Sequence, residues 1–107
     1  MQIQINTANN VVKGVELDST VEQEVRDGLS RFSDRLTRVE VHFNDESSVR
    51  RGETDTRCMI EARPRGQGPV TVTEHAATVA LAMSGALRKL TAALESEFGK
   101  QDDHRGH

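Results

Sequence analysis

Four stretches of the chain alternate apolar and polar residues, a pattern typical of β-strands with one buried face. They cover residues 2–6, 38–44, about 56–63 and 70–73. In the second stretch Val39, Val41 and Phe43 share one face, and in the third Cys58, Ile60 and Ala62 do so. The alternation therefore predicts four strands, each of which presents its apolar side chains to a common core.

Two longer stretches repeat apolar residues at helical spacing. The first set is Val21, Val25, Leu29, Phe32 and Leu36, and the string Ser19-Thr20-Val21-Glu22 before it matches a capping box. The second set is Val79, Met83, Leu87, Leu90 and Leu94, within a helix predicted over about 76–98. Gly99 is a plausible C-cap for this helix. The polar residues 100–107 show no periodicity and are predicted to be a disordered tail.

The order of these elements, β-α-β-β-β-α, predicts an α+β fold with a four-stranded mixed sheet. The two strands that flank the first helix should be parallel neighbours joined by a right-handed crossover. The last three strands should form an antiparallel meander, with both helices on one face of the sheet and the other face polar. We expect a single domain over residues 1–99, followed by the tail.

Charge and cysteine content narrow the possible partners. The net charge is −3, so nucleic acid could be attracted only by a local basic patch. The single cysteine, Cys58, cannot form an internal disulfide and indicates a reducing, cytoplasmic compartment. The N-terminus lacks the features of a signal peptide, and no apolar run is long enough to span a membrane, so we expect no membrane partner.

The sequence offers no recognisable catalytic motif. Cys58 is predicted to face the core, where a thiol is inert. His42 and His75 stand at no motif spacing from a nucleophile, and no phosphate-binding loop is present. The tail 102–107 contains aspartates and histidines, but we interpret it as solvated and not as a metal site. We therefore expect no enzyme activity, no cofactor, no metal and no small-molecule substrate.

Basic residues on the predicted helices are the strongest candidates for binding. They are Arg31, Arg35 and Arg38 on one flank of the first helix, with Arg88 and Lys89 on the second. Two interpretations of Arg35 and Arg38 carry about equal weight: complementing the dipole at the helix C-terminus, and binding phosphate. Arg50 and Arg51 could add an outer contact, but Glu46 and Glu53 stand close in sequence to neutralise them.

Two other surfaces were candidates for contact with a partner. The open sheet face carries no aromatic residue, which argues against base stacking in the manner of an RNA-recognition motif. One flank of the second helix is rich in small residues, and packing on the first helix is the preferred explanation. Its members are Ala82, Gly85, Lys89, Ala92, Ala93 and Ser96.

The order of elements and three short strings resemble the ribosome hibernation-promoting factor family, also called the ribosome-associated inhibitor or sigma-54 modulation protein family. The strings are Met1-Gln2-Ile3-Gln4-Ile5, Leu29-Ser30-Arg31-Phe32 and Ala82-Met83-Ser84-Gly85-Ala86-Leu87-Arg88-Lys89-Leu90, and the resemblance spans about residues 1–98. It implies a double-stranded-RNA-binding-like fold that binds the small ribosomal subunit where messenger and transfer RNA would sit. It also implies silencing of translation in stationary phase or stress, with basic side chains of both helices gripping ribosomal RNA.

Arg31 and Lys89 match basic positions of the family pattern, whereas other positions depart from it. Ala92 and Ser96 stand where the family usually has Arg and Lys. Ala80 replaces a family Tyr, and Asp34 a common basic residue. Two hypotheses follow. The first is a hibernation factor that grips ribosomal RNA in a groove between the helices, through Arg31, Arg35, Arg38, Arg88 and Lys89. The alternative is a diverged protein-interaction domain on the same fold that does not bind ribosomes.

Overall fold

The computed structural model describes residues 1–8, 15–47, 52 and 54–105, except for the side chains of residues 15–18 and 101–105. Arg50, Arg51 and Glu53 lie outside the described residues. The elements are β1 (Gln2–Thr7), α1 (Val15–Gly28), a 3₁₀ helix (Ser30–Arg35), β2 (Leu36–Asp45), β3 (Thr56–Pro64), β4 (Val70–Ala76) and α2 (Val79–Arg105). This is the predicted β-α-β-β-β-α order, with a short 3₁₀ helix added after α1.

The four strands form one mixed sheet in the order β1-β2-β3-β4. β1 pairs with β2 in parallel, and β2, β3 and β4 pair as an antiparallel meander, as the sequence predicts. Apolar residues face one another across the strands: Ile5 aligns with Val41, Val41 with Ile60, and Ile60 with Val72. The sheet therefore has one apolar face, which the helices cover.

The core lies between this face and the helices. α1 packs against β1, and α2 packs against β3 and β4. The inward residues predicted for β2 and β3 are all buried, and so are the five apolar positions predicted for the first helix. Because each buried side chain of this kind contributes about 1.5–3 kcal/mol relative to an exposed one, this core is the main source of stability.

The first helix starts and ends earlier than the sequence predicts. α1 begins at Val15, so Ser19 lies inside the helix and does not form the predicted capping box. It ends at Gly28, and the backbone tightens into the 3₁₀ helix, where the amide of Phe32 donates to the carbonyl of Leu29 at 2.9 Å. Apolar residues three or four positions apart suit both helix types, which is why the pattern continued unbroken to Leu36.

The second helix is shifted toward the C-terminus. β4 runs to Ala76, and α2 begins at Val79 behind Thr78, whose hydroxyl accepts a hydrogen bond from the amide of Leu81 at 3.2 Å. The helix continues through Gly99 to Arg105, so Gly99 is not the C-cap and residues 100–105 are helical in place of the predicted disorder. Among the described glycines only Gly52 and Gly66 adopt a positive φ.

Gly66 closes the turn between β3 and β4, within a segment rich in proline and glycine. Its φ of 72° is a left-handed conformation that favours glycine. The amide of Gln67 donates to the carbonyl of Pro64 at 3.3 Å within this turn. Neither α1 nor α2, as far as they are described, contains a stretch long and apolar enough to cross a membrane.

Candidate nucleic-acid interface

The segment 28–35 lies along α2, and we call this line of contact the seam. A Cβ built on Gly28 would lie 3.7 Å from both δ carbons of Leu87. Farther along, the rings of Phe32 and Phe98 meet with centroids 5.5 Å apart and planes tilted by 44°. In both segments the second contact lies closer to the C-terminus than the first. The 3₁₀ helix therefore runs in the same direction as α2 and contacts its second half.

Arg31 and Arg35, two of the five candidate basic residues, lie in the segment 28–35 that forms one side of the seam. The guanidinium of Arg31 is 4.7 Å from the centroid of the Phe32 ring, and that of Arg35 is 3.8 Å from the centroid of Phe98. Both distances suit a cation–π contact, which holds a guanidinium flat while leaving its edge for polar groups. The seam therefore presents two oriented cations at one end.

Arg31 is also paired with a carboxylate across the seam. Its Nη2 donates to Oε1 of Glu95 on α2, and both side chains are more than half exposed. An exposed pair of this kind contributes only about 0–1 kcal/mol to stability. Its larger effect is local, because Glu95 neutralises much of the positive potential that Arg31 would present to a phosphate.

Arg38 does not lie on the flank of the first helix, contrary to prediction. It is in β2, where Val39 and Val41 face the helices and Arg38 points to the opposite, open face of the sheet. There its guanidinium donates to the side-chain oxygen of Gln4 and, at 2.6 Å, to Glu40. Because the sheet separates it from the seam, Arg38 cannot line a groove with Arg31 and Arg35.

Lys89 lies on the flank of α2 that faces β4 and not the first helix. Its Nζ donates to the backbone carbonyl of Thr73 at 2.9 Å and to the carboxylate of Glu74 at 3.3 Å. Lys89 and Arg31 therefore do not face each other across a groove. The lysine holds α2 to the edge strand while keeping about half of its side chain in solvent.

Glu74 completes this contact between α2 and β4. The pKa of its carboxyl lies below its usual range, chiefly because the amide of His75 donates to it at 3.1 Å and because Lys89 also donates to it. The positive charges of Lys89 and Arg88 lower the pKa further. Glu74 is therefore ionised near neutral pH and offsets much of the positive charge that these two basic residues place on α2.

Arg88 projects from the solvent side of α2. It is seven residues before Glu95, which places the two side chains on the same side of the helix, two turns apart. Within the described residues it makes no ion pair. Three of the five candidates therefore lie along the seam: Arg31, Arg35 and Arg88. The other two, Arg38 and Lys89, lie elsewhere.

Two residues that shape the seam were missed by sequence reasoning. Glu95 neutralises Arg31, and Phe98 carries Arg35 on its ring. Phe98 continues the apolar repeat of α2 four residues after Leu94, so its burial could have been anticipated. Nothing local marks Glu95 as the partner of Arg31, because 64 positions separate them.

The small-residue flank of α2 faces the sheet and not the first helix, contrary to the preferred explanation. Ala82 and Gly85 are buried, and a Cβ on Gly85 would approach Oε2 of Glu74 to 2.5 Å. Gly85 thus allows β4 to come close to α2. Ala92 and Ser96, farther along, remain exposed.

The predicted absence of a base-stacking platform is confirmed. The chain has three phenylalanines and no Trp or Tyr, and Phe32, Phe43 and Phe98 are all buried. The open sheet face instead has a depression of about 390 Å³ beside the end of β1, lined by Asn6, Thr7, Ala8, His42, Phe43, Asn44 and Arg57. Nucleic acid bound to this face would lack aromatic contacts.

The side chains with catalytic potential do not form a catalytic arrangement in the described part of the chain. Cys58 is fully buried, and burial raises the pKa of its thiol to about 12, so it is protonated and unreactive near neutral pH. The Nδ1 of His75 lies 3.2 Å from a carboxylate oxygen of Asp55, and the Nε2 of His42 lies 3.9 Å from a carboxylate oxygen of Glu40. Among the described side chains, neither histidine forms a hydrogen bond with Cys58. The inward thiol predicted from the strand pattern is confirmed.

One group of side chains has donor atoms close enough to hold a cation. Ligand atoms of Glu46, Asp55 and His75 lie within 4.8 Å of one another at the end of the sheet where β2 meets β3. The Nε of Arg57 is 2.9 Å from Glu46, so one of the two carboxylates already has a cationic partner. The arrangement is explained as a network of ion pairs on the open face.

Comparison with solved structures shows the same fold in two other proteins. A ribosomal subunit interface protein from Coxiella burnetii matches with a TM-score of 0.72 and 14% identity, over 92% of this chain and 99% of that one. The N-terminal domain of Thermus thermophilus Protein Y matches with a TM-score of 0.70 and 20% identity, over 90% of this chain and 98% of that one. No curated protein matches this chain at the sequence level.

The sequence also matches a family model. Residues 6–102 align with the model of the sigma 54 modulation protein / S30EA ribosomal protein family, a family of ribosome-associated proteins that is not known for enzymes. The match covers nearly every described element, from the end of β1 to the last turns of α2. The chain therefore belongs to the sigma 54 modulation protein / S30EA ribosomal protein family.

Proposed function

We propose that this protein is a ribosome-associated hibernation factor that inhibits translation by binding the RNA of the small ribosomal subunit. The observation that carries the proposal is the pair of stacked arginines on the seam of a domain that belongs to this family. The guanidiniums of Arg31 and Arg35 lie over aromatic rings, 4.7 Å and 3.8 Å from the ring centroids, and a guanidinium can donate two hydrogen bonds to phosphate oxygens. A partner of this kind places the protein in the cytoplasm.

The seam provides a smaller binding surface than the one predicted from the sequence, which contained five basic residues. The contacts in this proposal are Arg31, Arg35 and Arg88, and Arg31 reaches phosphate when phosphate displaces Glu95. Lys89 is held by Thr73 and Glu74, and Arg38 faces away. With two or three phosphate contacts, log affinity should fall with log salt concentration with a slope of about −2 to −3.

The test is co-sedimentation of the protein with purified small subunits at several salt concentrations. We expect binding at about 50 mM salt and release at higher salt. Arg35→Ala and Arg88→Ala should each reduce the salt slope by about one. Arg63→Ala is the matched control, because Arg63 is exposed like Arg88 but lies on the open sheet face beside Glu61. No co-sedimentation at low salt would refute the proposal, and equal losses in all three variants would refute the site.

A second function, a protein-interaction domain on the same fold, is favoured by the charge balance of the seam. Glu95 pairs with Arg31, and Glu24 lies four residues before Gly28, on the flank of α1 that faces α2. Carboxylates on both sides of the seam weaken attraction to RNA and suit a partner with mixed charges. If this function is correct, binding partners should survive ribonuclease treatment; if all partners are lost on that treatment, it is rejected.

A further inference from the structure

The strand β1 forms one edge of the sheet and lacks the features that usually protect such edges. It pairs only with β2 among the described strands, and its register runs without a bulge from Gln2 to Thr7. None of its six residues is charged or a proline, although 29% of the chain is charged. Natural edge strands usually carry charges, prolines or bulges that prevent pairing with another strand. The described part of β1 therefore presents a strand edge able to pair.

The opposite edge of the sheet is protected. On β4 the ammonium of Lys89 donates to the carbonyl of Thr73, and Glu74 adds a charge to the second half of the strand. Because a backbone acceptor on this edge is already engaged, a further strand would have to displace Lys89. The two edges of the same sheet thus differ in their capacity for pairing.

The side chains of β1 are self-complementary in an antiparallel arrangement. Ile3 and Ile5 remain partly exposed, whereas Val39 and Val41, their neighbours on β2, are fully buried. Two copies of β1 paired antiparallel about Gln4 would place Ile3 opposite Ile5 of the second copy. The polar residues Gln2 and Asn6 would face each other in the same way. Each apolar side chain would meet an apolar one, which is the pairing that stabilises adjacent strands.

The flank of α1 above this edge is also self-complementary. α1 packs on β1, and its Gly28 side faces α2, so Glu22 and Arg26 lie on the outer flank. These two residues form an exposed ion pair at 3.0 Å within one chain. A two-fold axis at β1 brings two copies of α1 together in antiparallel orientation, which sets Glu22 of one copy toward Arg26 of the other.

We propose that β1 is a self-association edge, through which two copies of this chain pair antiparallel and join their sheets into one. The pairing uses six residues of strand and one helix flank, so the buried area is at the lower end of the range of about 1,200–2,000 Å² for stable complexes. The dimer should therefore dissociate on dilution. The seam lies between the helices and away from this edge, so both copies keep it exposed.

The first test is sedimentation velocity of the full chain over a wide concentration range. The wild type should shift from monomer to dimer with increasing concentration. Gln4→Lys, which sets like charges opposite each other at the two-fold axis, should weaken the dimer about fivefold or more. Thr71→Lys is the matched control, because Thr71 is an exposed residue of the other edge strand. A wild type that stays monomeric, or equal weakening by both variants, overturns the proposal.

The second test exchanges the charges on α1. Glu22→Arg and Arg26→Glu each create like charges across the axis and should weaken the dimer, whereas the double exchange restores both the intrachain pair and the pairing between copies. Circular dichroism of each variant checks the fold. If the double exchange does not recover dimer strength beyond either single variant, the helix flank is not part of the interface and the proposed arrangement is wrong.

Discussion

Lys89 on α2 donates a hydrogen bond from Nζ to the backbone carbonyl of Thr73 in edge strand β4, at 2.9 Å. The contact gives Lys89 a structural role in this chain. It satisfies a backbone acceptor, attaches the helix to the sheet, and places the ammonium beside Glu74. Experiments on these and neighbouring residues can therefore measure separately the stability of the fold, the ionisation of Glu74 and the binding of RNA.

Replacement of Lys89 by alanine should lower stability more than replacement of its neighbour Arg88. The variant Lys89→Ala loses the bond to Thr73, and a hydrogen bond from a charged donor contributes roughly 1.5 kcal/mol or less at a half-exposed site. Arg88→Ala removes no hydrogen bond of the described side chains and should stay within about 0.5 kcal/mol of wild type. Urea unfolding followed by circular dichroism measures both. Similar stability of the two variants would show that the Thr73 contact contributes nothing.

Glu74 should make stability depend on pH in the acidic range. Its pKa in the folded protein is lowered from the usual value of 4.5, so its contribution is fully present above that value and is lost as pH falls through the folded pKa. Wild-type stability should therefore decrease below about pH 4.5 more steeply than that of Glu74→Gln. Unfolding curves measured between about pH 3 and 6, at intervals of roughly one pH unit, would show this difference. Parallel decreases in the two proteins would mean that Glu74 has a normal pKa.

Two glycines should respond oppositely to alanine. Gly99 is helical within α2, and a Cβ there meets no atom within 4 Å, so Gly99→Ala should stabilise the protein by about 0.5–1 kcal/mol. Gly66 has a φ of 72°, so Gly66→Ala should destabilise it by about 1 kcal/mol. Thermal unfolding measures both. If Gly99→Ala is destabilising, α2 ends at Gly99 as the sequence predicts.

Gly85 and Glu74 should show coupled effects on stability. A Cβ on Gly85 would lie 2.5 Å from Oε2 and 2.7 Å from Cγ of Glu74, so Gly85→Ala forces this side chain to move and gives up its bond to Lys89. Combining Gly85→Ala with Glu74→Ala removes the clash, and the double variant should be more stable than the sum of the single effects predicts. A double-mutant cycle by urea unfolding tests this. Strict additivity would show that the helix and the strand move apart without strain.

Glu95 should limit the affinity of the seam for RNA. In Glu95→Gln the neutral amide no longer cancels the charge of Arg31, so binding to small subunits at low salt should strengthen by up to about fivefold, since one exposed ion pair is worth up to about 1 kcal/mol. Glu97→Gln, a neighbouring carboxylate change on α2, is the control. Unchanged or weaker binding of Glu95→Gln relative to this control would contradict the proposed role of Arg31.

Particular residues show where sequence reasoning succeeded and where it failed. The inward faces of β2 and β3 were predicted, because strict alternation over several residues suits only a half-buried strand. Arg38 was predicted to begin the second strand and also to lie on the flank of the first helix, since the spacing of Phe32 and Leu36 continues the helical pattern; only its place in the strand is correct. Lys89 was predicted on the correct helix, but facing the first helix and not β4. Helical geometry alone does not determine which neighbouring element one flank of a helix contacts.

The sequence by itself determined the order and type of the elements, the side chains that enter the core, and the absence of an aromatic platform on the sheet. These properties depend on residues close to one another along the chain, where periodicity reflects burial. Only the tertiary structure decided which basic residues share a surface. The partners of Arg31 and Lys89 are Glu95 and Glu74, 64 and 15 positions away, and such pairings arise only when the packed helices and strands bring distant side chains into contact.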